Sequence, residues 1–326
     1  MTRPVILGTG SCLPQRVLTN LDLEKIVDTT DEWITVRTGI KERHIAGRGE
    51  ETSKLAAEAA RRALAMAALS AEDIDLIVVG TMTSEKTMPS CACLVQKEIG
   101  AVNAFAMDVN AACSGFLYGL DIADKYIKAD PAMKVLVIGA ENLSARTNWQ
   151  DRTTCVLFGD GAGACVMTGG NAPDRGLLAS QLYADGRLWH LLHMDTAPSL
   201  NPDLVPEEYD GSYIRMAGQE VFKYAVRAMQ DGVAKVLAHA NIEPAAVKLV
   251  IPHQANIRIL NSLTERLAIP AEKIYINVHK YGNTSAASMP IALDEANREG
   301  RLQPGDLVLF CAFGGGFTWG AALMRW

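Results

Sequence analysis

The chain has 326 residues, 49% hydrophobic and 21% charged, with a formal net charge of −6. That length allows one large or two fused domains with a substantial core, and the composition is that of an ordinary globular protein. The negative balance argues against general nucleic-acid binding, which needs a basic surface, although a local basic patch for an acidic protein partner stays open.

The opening segment, Met1-Thr-Arg-Pro-Val-Ile-Leu7, lacks the apolar run and cleavage site of a signal peptide. No stretch approaches the roughly 20 uncharged apolar residues of a membrane span. The seven cysteines (Cys12, Cys91, Cys93, Cys113, Cys155, Cys165 and Cys311) are odd in number and widely spread. They do not form a disulfide framework, so the expected home is a reducing, cytoplasmic compartment. Cys91-Ala-Cys93 has no second ligand pair at metal-site spacing, and helix packing is the better reading than zinc.

One order of elements is used twice. An Ala-rich helical stretch, Ser53 to Leu69, leads through Ser70-Ala-Glu-Asp73 to the apolar run Ile74-Asp-Leu-Ile-Val-Val-Gly80. A second helical stretch, Glu220 to Ala240, leads through Asn241-Ile-Glu-Pro244 to Val247-Lys-Leu-Val-Ile251. Downstream, the strand-like Ala104 to Val109 precedes Cys113 and a helix to about Lys128, while the strand-like Ile274 to Val278 precedes Asn283 and a helix to about Arg298. Apolar runs follow each, at Lys134 to Gly139 and Asp306 to Cys311. Alternating strands and helices imply largely parallel sheets covered on both faces. Two such halves, residues 1–172 and 173–326, pack pseudo-symmetrically as α-β-α-β-α, with the boundary near Gly169–Asp174. The irregular stretch Arg187 to Ser212, with three prolines, reads equally as a flap over a pocket or as a surface excursion.

Ligands in open α/β sheets bind beyond the carboxyl ends of strands. Cys113, in Asn110-Ala-Ala-Cys-Ser-Gly-Phe116, sits between a strand and a helix, where the helix N-terminus favours a thiolate and small neighbours leave room for substrate. The alternative is a buried structural cysteine. His253, in Ile251-Pro-His-Gln-Ala-Asn256, follows a buried strand beside amide side chains. The other histidines, His44, His190, His193, His239 and His279, take the structural reading. Asn283, in Tyr281-Gly-Asn-Thr-Ser-Ala-Ala-Ser288, reads on its own as a helix cap; the repeat puts it at the position equivalent to Cys113. Together the three point to a thiolate that accepts an acyl group from a thioester. The two donors would then hold the enolate oxygen formed when a malonyl group loses carbon dioxide, at about 3–4 kcal/mol each. Phe158-Gly-Asp-Gly-Ala-Gly163 and Phe313-Gly-Gly-Gly-Phe-Thr-Trp-Gly320 lack the features of phosphate-binding loops and read as sites of close backbone approach near the active site.

These motifs, together with Gly8-Thr-Gly-Ser-Cys-Leu-Pro14 and Asp31-Glu-Trp-Ile-Thr-Val-Arg-Thr-Gly-Ile40, run the length of the chain. In that order they resemble the 3-oxoacyl-acyl-carrier-protein synthase III family of the thiolase superfamily, which starts type II fatty-acid synthesis. The resemblance implies Cys113 as acyl acceptor and His253 with Asn283 as the decarboxylating pair. It implies Trp33 stacked on the coenzyme A adenine with Arg152 opposite, and Arg37 and Asn256 on the pantetheine–nucleotide arm. Gly218 and Phe222 would line that tunnel. Arg258, assisted by Lys223, would dock an acidic carrier protein. The implied assembly is a homodimer in which the Met88 region completes the partner's acyl pocket. The substrates are acyl-CoA and malonyl-acyl-carrier protein, with no cofactor or metal. Met88 stands where acetyl-selective relatives carry Phe, which with the Arg187–Ser212 stretch points to acyl groups longer than acetyl.

Three rival readings remain. A condensing enzyme for quinolone or polyketide starters keeps the fold and changes the product. A Cys-His-Asn hydrolase lacks the papain-type segment here. A silent acyl-binding subunit would not need the three residues intact. A hydroxymethylglutaryl-CoA-synthase-like activity is disfavoured because Gly80-Thr-Met-Thr83 offers no carboxylate base.

Overall fold

The computed structural model describes residues 2–171, 174–196, 201, 211–267 and 269–326. The first half runs from β1 (Pro4–Cys12) into β2 (Arg16–Thr19) and β3 (Glu42–Ile45), which pair around the short α1 (Asn20–Leu23) and α2 (Asp31–Thr38). It continues through α3 (Thr52–Ala67), β4 (Leu76–Gly80), α4 (Cys91–Ile99), β5 (Phe105–Val109), α5 (Gly115–Ala129), β6 (Val135–Asn142), α6 (Arg152–Cys155) and β7 (Asp160–Gly169). The second half has β8 (Gly176–Ala184), the paired β9 (Leu192–Met194) and β10 (Ile214–Met216), α7 (Gly218–Ala240) and β11 (Leu249–Pro252). It closes with α8 (Ile257–Leu267), α9 (Val278–Tyr281), α10 (Ser288–Arg298), β12 (Leu307–Gly314) and β13 (Thr318–Arg325). Among the described residues no helix is long and apolar enough to cross a membrane.

Local chemistry explains the boundaries. In α3 the buried Ala56, Ala59, Ala60 and Ala63 recur at helical spacing, and these small side chains let the helix lie close on the sheet. In α4 the Ser90 hydroxyl accepts from the Cys93 N–H at the start, and Gly100 ends the helix at φ 77°. β4 is buried at every position and carries no polar alternation, as a central strand covered on both faces requires.

The two main sheets have strand orders β1-β7-β6-β4-β5 and β11-β12-β13-β8. The expected largely parallel sheets are in fact mixed. Among the described residues of these sheets, β4–β5, β4–β6 and β11–β12 run parallel, whereas β1–β7, β6–β7, β12–β13 and β8–β13 are antiparallel. The glycines of the Phe313–Gly316 run turn β12 directly back into β13, which a run of helical crossovers would not allow. Helices α3 and α4 cover the outer face of the first sheet, α5 and α10 fill the space between the sheets, and α7 with α8 covers the second sheet. Three apolar clusters occupy the resulting interfaces, with Phe116, Leu120, Leu293 and Phe310 in the central one. The result is the five-layer α-β-α-β-α arrangement of two pseudo-symmetric halves.

Other expectations shift. Ile274 to Val278 does not form a strand; Ile274 makes a single bridge to Val250, and the chain then turns into α9. The Gly169–Asp174 link joins the last strand of the first sheet to β8 of the second, and the expected boundary at 172–173 lies outside the described residues. Arg187 to Ser212 is not irregular throughout: a 3-10 turn over Gly186–Leu191 leads into the β9–β10 ladder. Residues 197–200 and 202–210 of that stretch lie outside the described residues.

Each central helix is preceded by a 3-10 turn, Ala112–Ser114 before α5 and Ser285–Ala287 before α10. Each turn opens on a non-glycine residue in the left-handed region, Ala112 at φ 45° and Ser285 at φ 50°, a conformation that concentrates at functional sites. The turns pack crosswise on the opposite sheets. A Cβ on Gly314 of β12 would stand 2.6 Å from the Cys113 backbone nitrogen, and one on Gly139 of β6 would stand 2.1 Å from the Ala286 carbonyl oxygen. Matching the turns corrects the repeat register: Ala286 corresponds to Cys113, and Asn283 corresponds to Asn110.

Candidate active site

A cavity of about 1020 Å³ opens between the halves. Cys113, His253 and Asn283 all line it. Each is nearly buried, at 7%, 3% and 8% exposure.

Cys113 is carried by the 3-10 turn, one residue short of α5's first turn. The expected thiolate is not its resting state. Burial pushes the thiol up to about 12, with the nearby Glu141 carboxyl adding to the rise and a hydrogen bond with Ser285 offsetting part of it. The rise of about three units from 9.0 corresponds to roughly 4 kcal/mol. A helix terminus supplies at most about 2 kcal/mol, so burial wins.

His253 follows β11, and its backbone N–H donates to the Cys311 carbonyl at 2.8 Å. Its Nδ1 lies 2.7 Å from the Ser288 hydroxyl. That hydroxyl also accepts the Gln254 N–H at 3.2 Å, which leaves its own proton free to be given to Nδ1. Nδ1 is therefore the acceptor and the ring proton sits on Nε2. Burial pushes the imidazole down to about 4, so it is neutral near pH 7.

Asn283 is pinned by the segment leading into β7. Its N–H donates to the Leu157 carbonyl at 2.8 Å, and its own carbonyl accepts the Gly159 N–H at 3.1 Å. The glycine-rich run here serves close approach, since a Cβ on Gly159 would stand 2.4 Å from the Tyr281 oxygen. The Asn283 Oδ1 accepts the Ser285 N–H at 2.9 Å, which fixes the amide orientation. Capping and the site are thus one feature: Oδ1 is occupied by the turn, and Nδ2 is left as a donor at the cavity wall. The cavity therefore holds a buried thiol, a neutral Nε2–H and an amide N–H.

Trp33, Arg37, Gly218, Phe222, Asn256 and Arg258 also line the cavity. Asn256 caps α8 by accepting the Ile259 N–H at 3.0 Å. Arg258 lies over the Phe222 ring at 5.7 Å. Trp33 carries Arg37 at 4.4 Å and Arg152 at 4.9 Å from its ring centroid. Those are contact distances, and a base between indole and guanidinium needs about twice the roughly 3.5 Å of one stacking contact. In this conformation the expected Trp33–Arg152 slot is closed, with Arg152 bonded to the Asp28 carbonyl at 2.9 Å. Three expected residues do not line this chain's cavity: Arg152, and two that stand further off. Lys223 pairs with Glu220 at 3.1 Å on the exposed face of α7, and Met88 is 86% exposed.

Several residues escaped the sequence reading. His193, given a structural role there, lines the cavity from β9, together with Trp189, Asp195 and Arg146. The strand end Gly80–Thr83 does have a carboxyl beside it: Glu141 of β6 accepts from the Thr83 hydroxyl at 2.5 Å and from the Ser285 hydroxyl at 3.2 Å. Burial pushes that carboxyl up to about 7. Nothing local in Gly139-Ala-Glu-Asn142 announces the contact, because β6 and β4 are far apart in sequence.

Comparison with known proteins agrees with this geometry. Models of the 3-oxoacyl-[acyl-carrier-protein] synthase III family match residues 107–186 and, for its C-terminal part, residues 237–326. The beta-ketoacyl-[acyl-carrier-protein] synthase III of Desulfotalea psychrophila is 59% identical over 99% of both chains. The crystal structure of the synthase III from Aquifex aeolicus superposes with a TM-score of 0.93 at 54% identity, covering all of both chains. That from Thermus thermophilus gives 0.92 at 42% identity over 99% of each. The chain belongs to the beta-ketoacyl-[acyl-carrier-protein] synthase III family, condensing acyltransferases that initiate fatty-acid synthesis.

Proposed function

We propose that Cys113 accepts the acyl group of an acyl-CoA and that His253 and Asn283 drive decarboxylation of malonyl-acyl-carrier protein in the same cavity. The observation that carries this reading is the pair of donors, His253 Nε2–H and Asn283 Nδ2–H, which meet no acceptor among the described residues on the wall that holds the Cys113 thiol. In the first half-reaction the Cys113 sulphur attacks the thioester carbonyl, a carbon–sulphur bond forms, and CoA leaves. In the second, malonyl-acyl-carrier protein loses carbon dioxide and the donors hold the enolate oxygen. The carbanion then attacks the acyl-cysteine and 3-oxoacyl-acyl-carrier protein departs, a ping-pong cycle that requires no cofactor. The near-complete burial of these three side chains suits this chemistry, because charge-stabilising donors act most strongly in low dielectric.

The division of labour between residues 1–172, which carry the nucleophile, and 173–326, which carry the donors, follows the two halves. Trp33, Arg37 and Arg152 form the nucleotide platform once Arg152 releases Asp28, with Gly218, Phe222 and Asn256 along the pantetheine tunnel. Arg258 at the mouth and Lys223 beside it meet the acidic carrier protein. Homodimer formation is supported by β5, an edge strand with one neighbour among the described residues, whose Phe105 is 46% exposed, and by the exposed Met88 and Val102. Met88 would then act in the partner's acyl pocket. Seven unpaired thiols support a reducing, cytoplasmic setting.

The test is reconstitution with a panel of acyl-CoAs and malonyl-acyl-carrier protein. The reading requires 3-oxoacyl-acyl-carrier protein and carbon dioxide in equal amounts. Free acid without carbon dioxide would instead identify a hydrolase. Acceptance of primers longer than acetyl is expected, and a sharp acetyl preference would remove that part.

A further inference from the structure

The geometry leaves Cys113 without an evident base. The imidazole of His253 carries its proton on Nε2, so the nitrogen facing the cavity has no lone pair for the thiol proton. A neutral buried thiol must nevertheless lose that proton before its sulphur can attack. The Ser285 hydroxyl offsets part of the rise in the thiol's proton affinity by hydrogen bonding, and it donates to Glu141 Oε1 at 3.2 Å. Ser285 is held there by its left-handed backbone and by its N–H bond to Asn283.

From this chain of contacts we infer that Glu141, acting through the Ser285 hydroxyl, takes the Cys113 thiol proton during acylation and returns it when the thiol is released. The inference rests on Cys113 being the acyl acceptor. In acylation the sulphur–carbonyl carbon bond forms as the thiol proton passes to Ser285 Oγ and the Ser285 proton passes to the Glu141 carboxylate. The carbon–sulphur bond to CoA then breaks, and the CoA thiolate takes one proton from solvent. In condensation the carbanion displaces the Cys113 sulphur, which recovers its proton from Glu141 through Ser285. Over the cycle one solvent proton is consumed and one carbon dioxide is released, so atoms and charge balance.

The surroundings of Glu141 suit a group that gains and loses a proton. The loop after β4 presents the hydroxyls of Thr81 and Thr83 and the Met82 N–H. The turn before α10 presents Ser285, and the turn before α5 presents the Cys113 thiol. The start of α4 presents Cys91, beyond which lie Asp108 and Glu85. β7 presents only Gly161 opposite Glu141 in the ladder. Among these groups there is no cation to lock the carboxylate, and burial holds the carboxyl at about 7, where it exchanges a proton near neutrality.

The experiment is single-turnover acylation by acetyl-CoA, read by intact mass across pH 5.5–9 (roughly the range over which such a base titrates), for the wild type, Glu141→Gln and Ser285→Ala. The wild-type rate should rise through an inflection near 7, where the carboxyl ionises. Both variants should lose that inflection and slow by about 100-fold at neutral pH. Ser285→Ala leaves the carboxyl in place, so it carries the test if Glu141→Gln does not fold. A faster Glu141→Gln enzyme would overturn the inference, because the carboxylate would then act only by repelling the thiolate. Slowing with the inflection intact would also overturn it, since that marks a structural role. Absence of wild-type acylation at Cys113 would instead remove the assignment on which the inference rests.

Discussion

Ser288→Ala is the most informative single perturbation of the decarboxylating pair. Ser288 does not line the cavity; its hydroxyl acts by donating to His253 Nδ1 at 2.7 Å and accepting the Gln254 N–H at 3.2 Å. All three residues are buried, at 3% exposure or less. Removing the hydroxyl orphans one acceptor and one donor, each at about 1–3 kcal/mol, so folding stability should fall by about 2–6 kcal/mol. The catalytic effect has a different origin. Without the serine proton on Nδ1, the ring proton divides between the two nitrogens, and only the Nε2–H tautomer can donate to an enolate. Complete loss of one such donor costs about 100- to 1,000-fold, so partial loss should slow malonyl decarboxylation about 10- to 100-fold. Acetyl transfer to Cys113 should change much less. The assay is carbon dioxide release from malonyl-acyl-carrier protein beside intact-mass acylation of the same preparation. Equal slowing of both half-reactions would refute the tautomer argument.

Other outcomes follow from the same geometry. Gly314→Ala drives a methyl into the Cys113 turn and should impair acylation, while Gly139→Ala drives one into the turn that carries Ser285 and fixes Asn283 and should impair both half-reactions, with about 1–3 kcal/mol of destabilisation each in urea unfolding. Ultraviolet difference titration of the wild type against Cys113→Ser should show no thiolate at pH 7.5, since burial holds the thiol at about 12; a thiolate signal already present there would contradict the neutral resting state. His253 is lowered from 6.5 to about 4, so the unfolded chain binds the extra proton between those values and stability from this group rises with pH, being complete above 6.5. Glu141 is raised from 4.5 to about 7, so its contribution is complete below 4.5 and is lost as pH climbs through 7. Each is worth about 3 kcal/mol, and they oppose one another. Urea unfolding between pH 5 and 6.5 (within roughly the window where both groups titrate) should therefore show Glu141→Gln gaining stability with pH and His253→Gln losing it, relative to the wild type. Parallel slopes in both variants would contradict these environments.

The sequence displayed its layers because hydrophobic periodicity and turn residues are local signals. The Ala stripe of α3 and the unbroken apolar run of β4 announced a helix lying close on a buried strand. Strand direction was less legible, because the return from β12 into β13 depends on how Phe313–Gly316 bends rather than on any periodicity. The run Ile274 to Val278 looked like a strand from its apolar alternation, yet it makes a single bridge, Ile274 to Val250. At the site, Cys113 and His253 stood out as candidates from their places after strands, whereas Asn283 stood out only through a repeat register that the two 3-10 turns shift by three residues. Glu141, Ser288 and His193 did not, because their meaning arises from contacts between distant segments, such as the 144 positions separating Ser285 from Glu141. Ionisation was misread for a related reason: the helix terminus is visible in sequence, whereas the burial that outweighs it is a property of the assembled halves.

The central claim is tested most directly by intact-mass and peptide mass spectrometry after incubation with acyl-CoA, followed by addition of malonyl-acyl-carrier protein. One acyl group should appear on the Cys113 peptide and then disappear as 3-oxoacyl-acyl-carrier protein forms, and Cys113→Ala should carry no acyl group and make no product from acyl-CoA. Acylation at a different residue, or undiminished condensation in Cys113→Ala, would contradict the account.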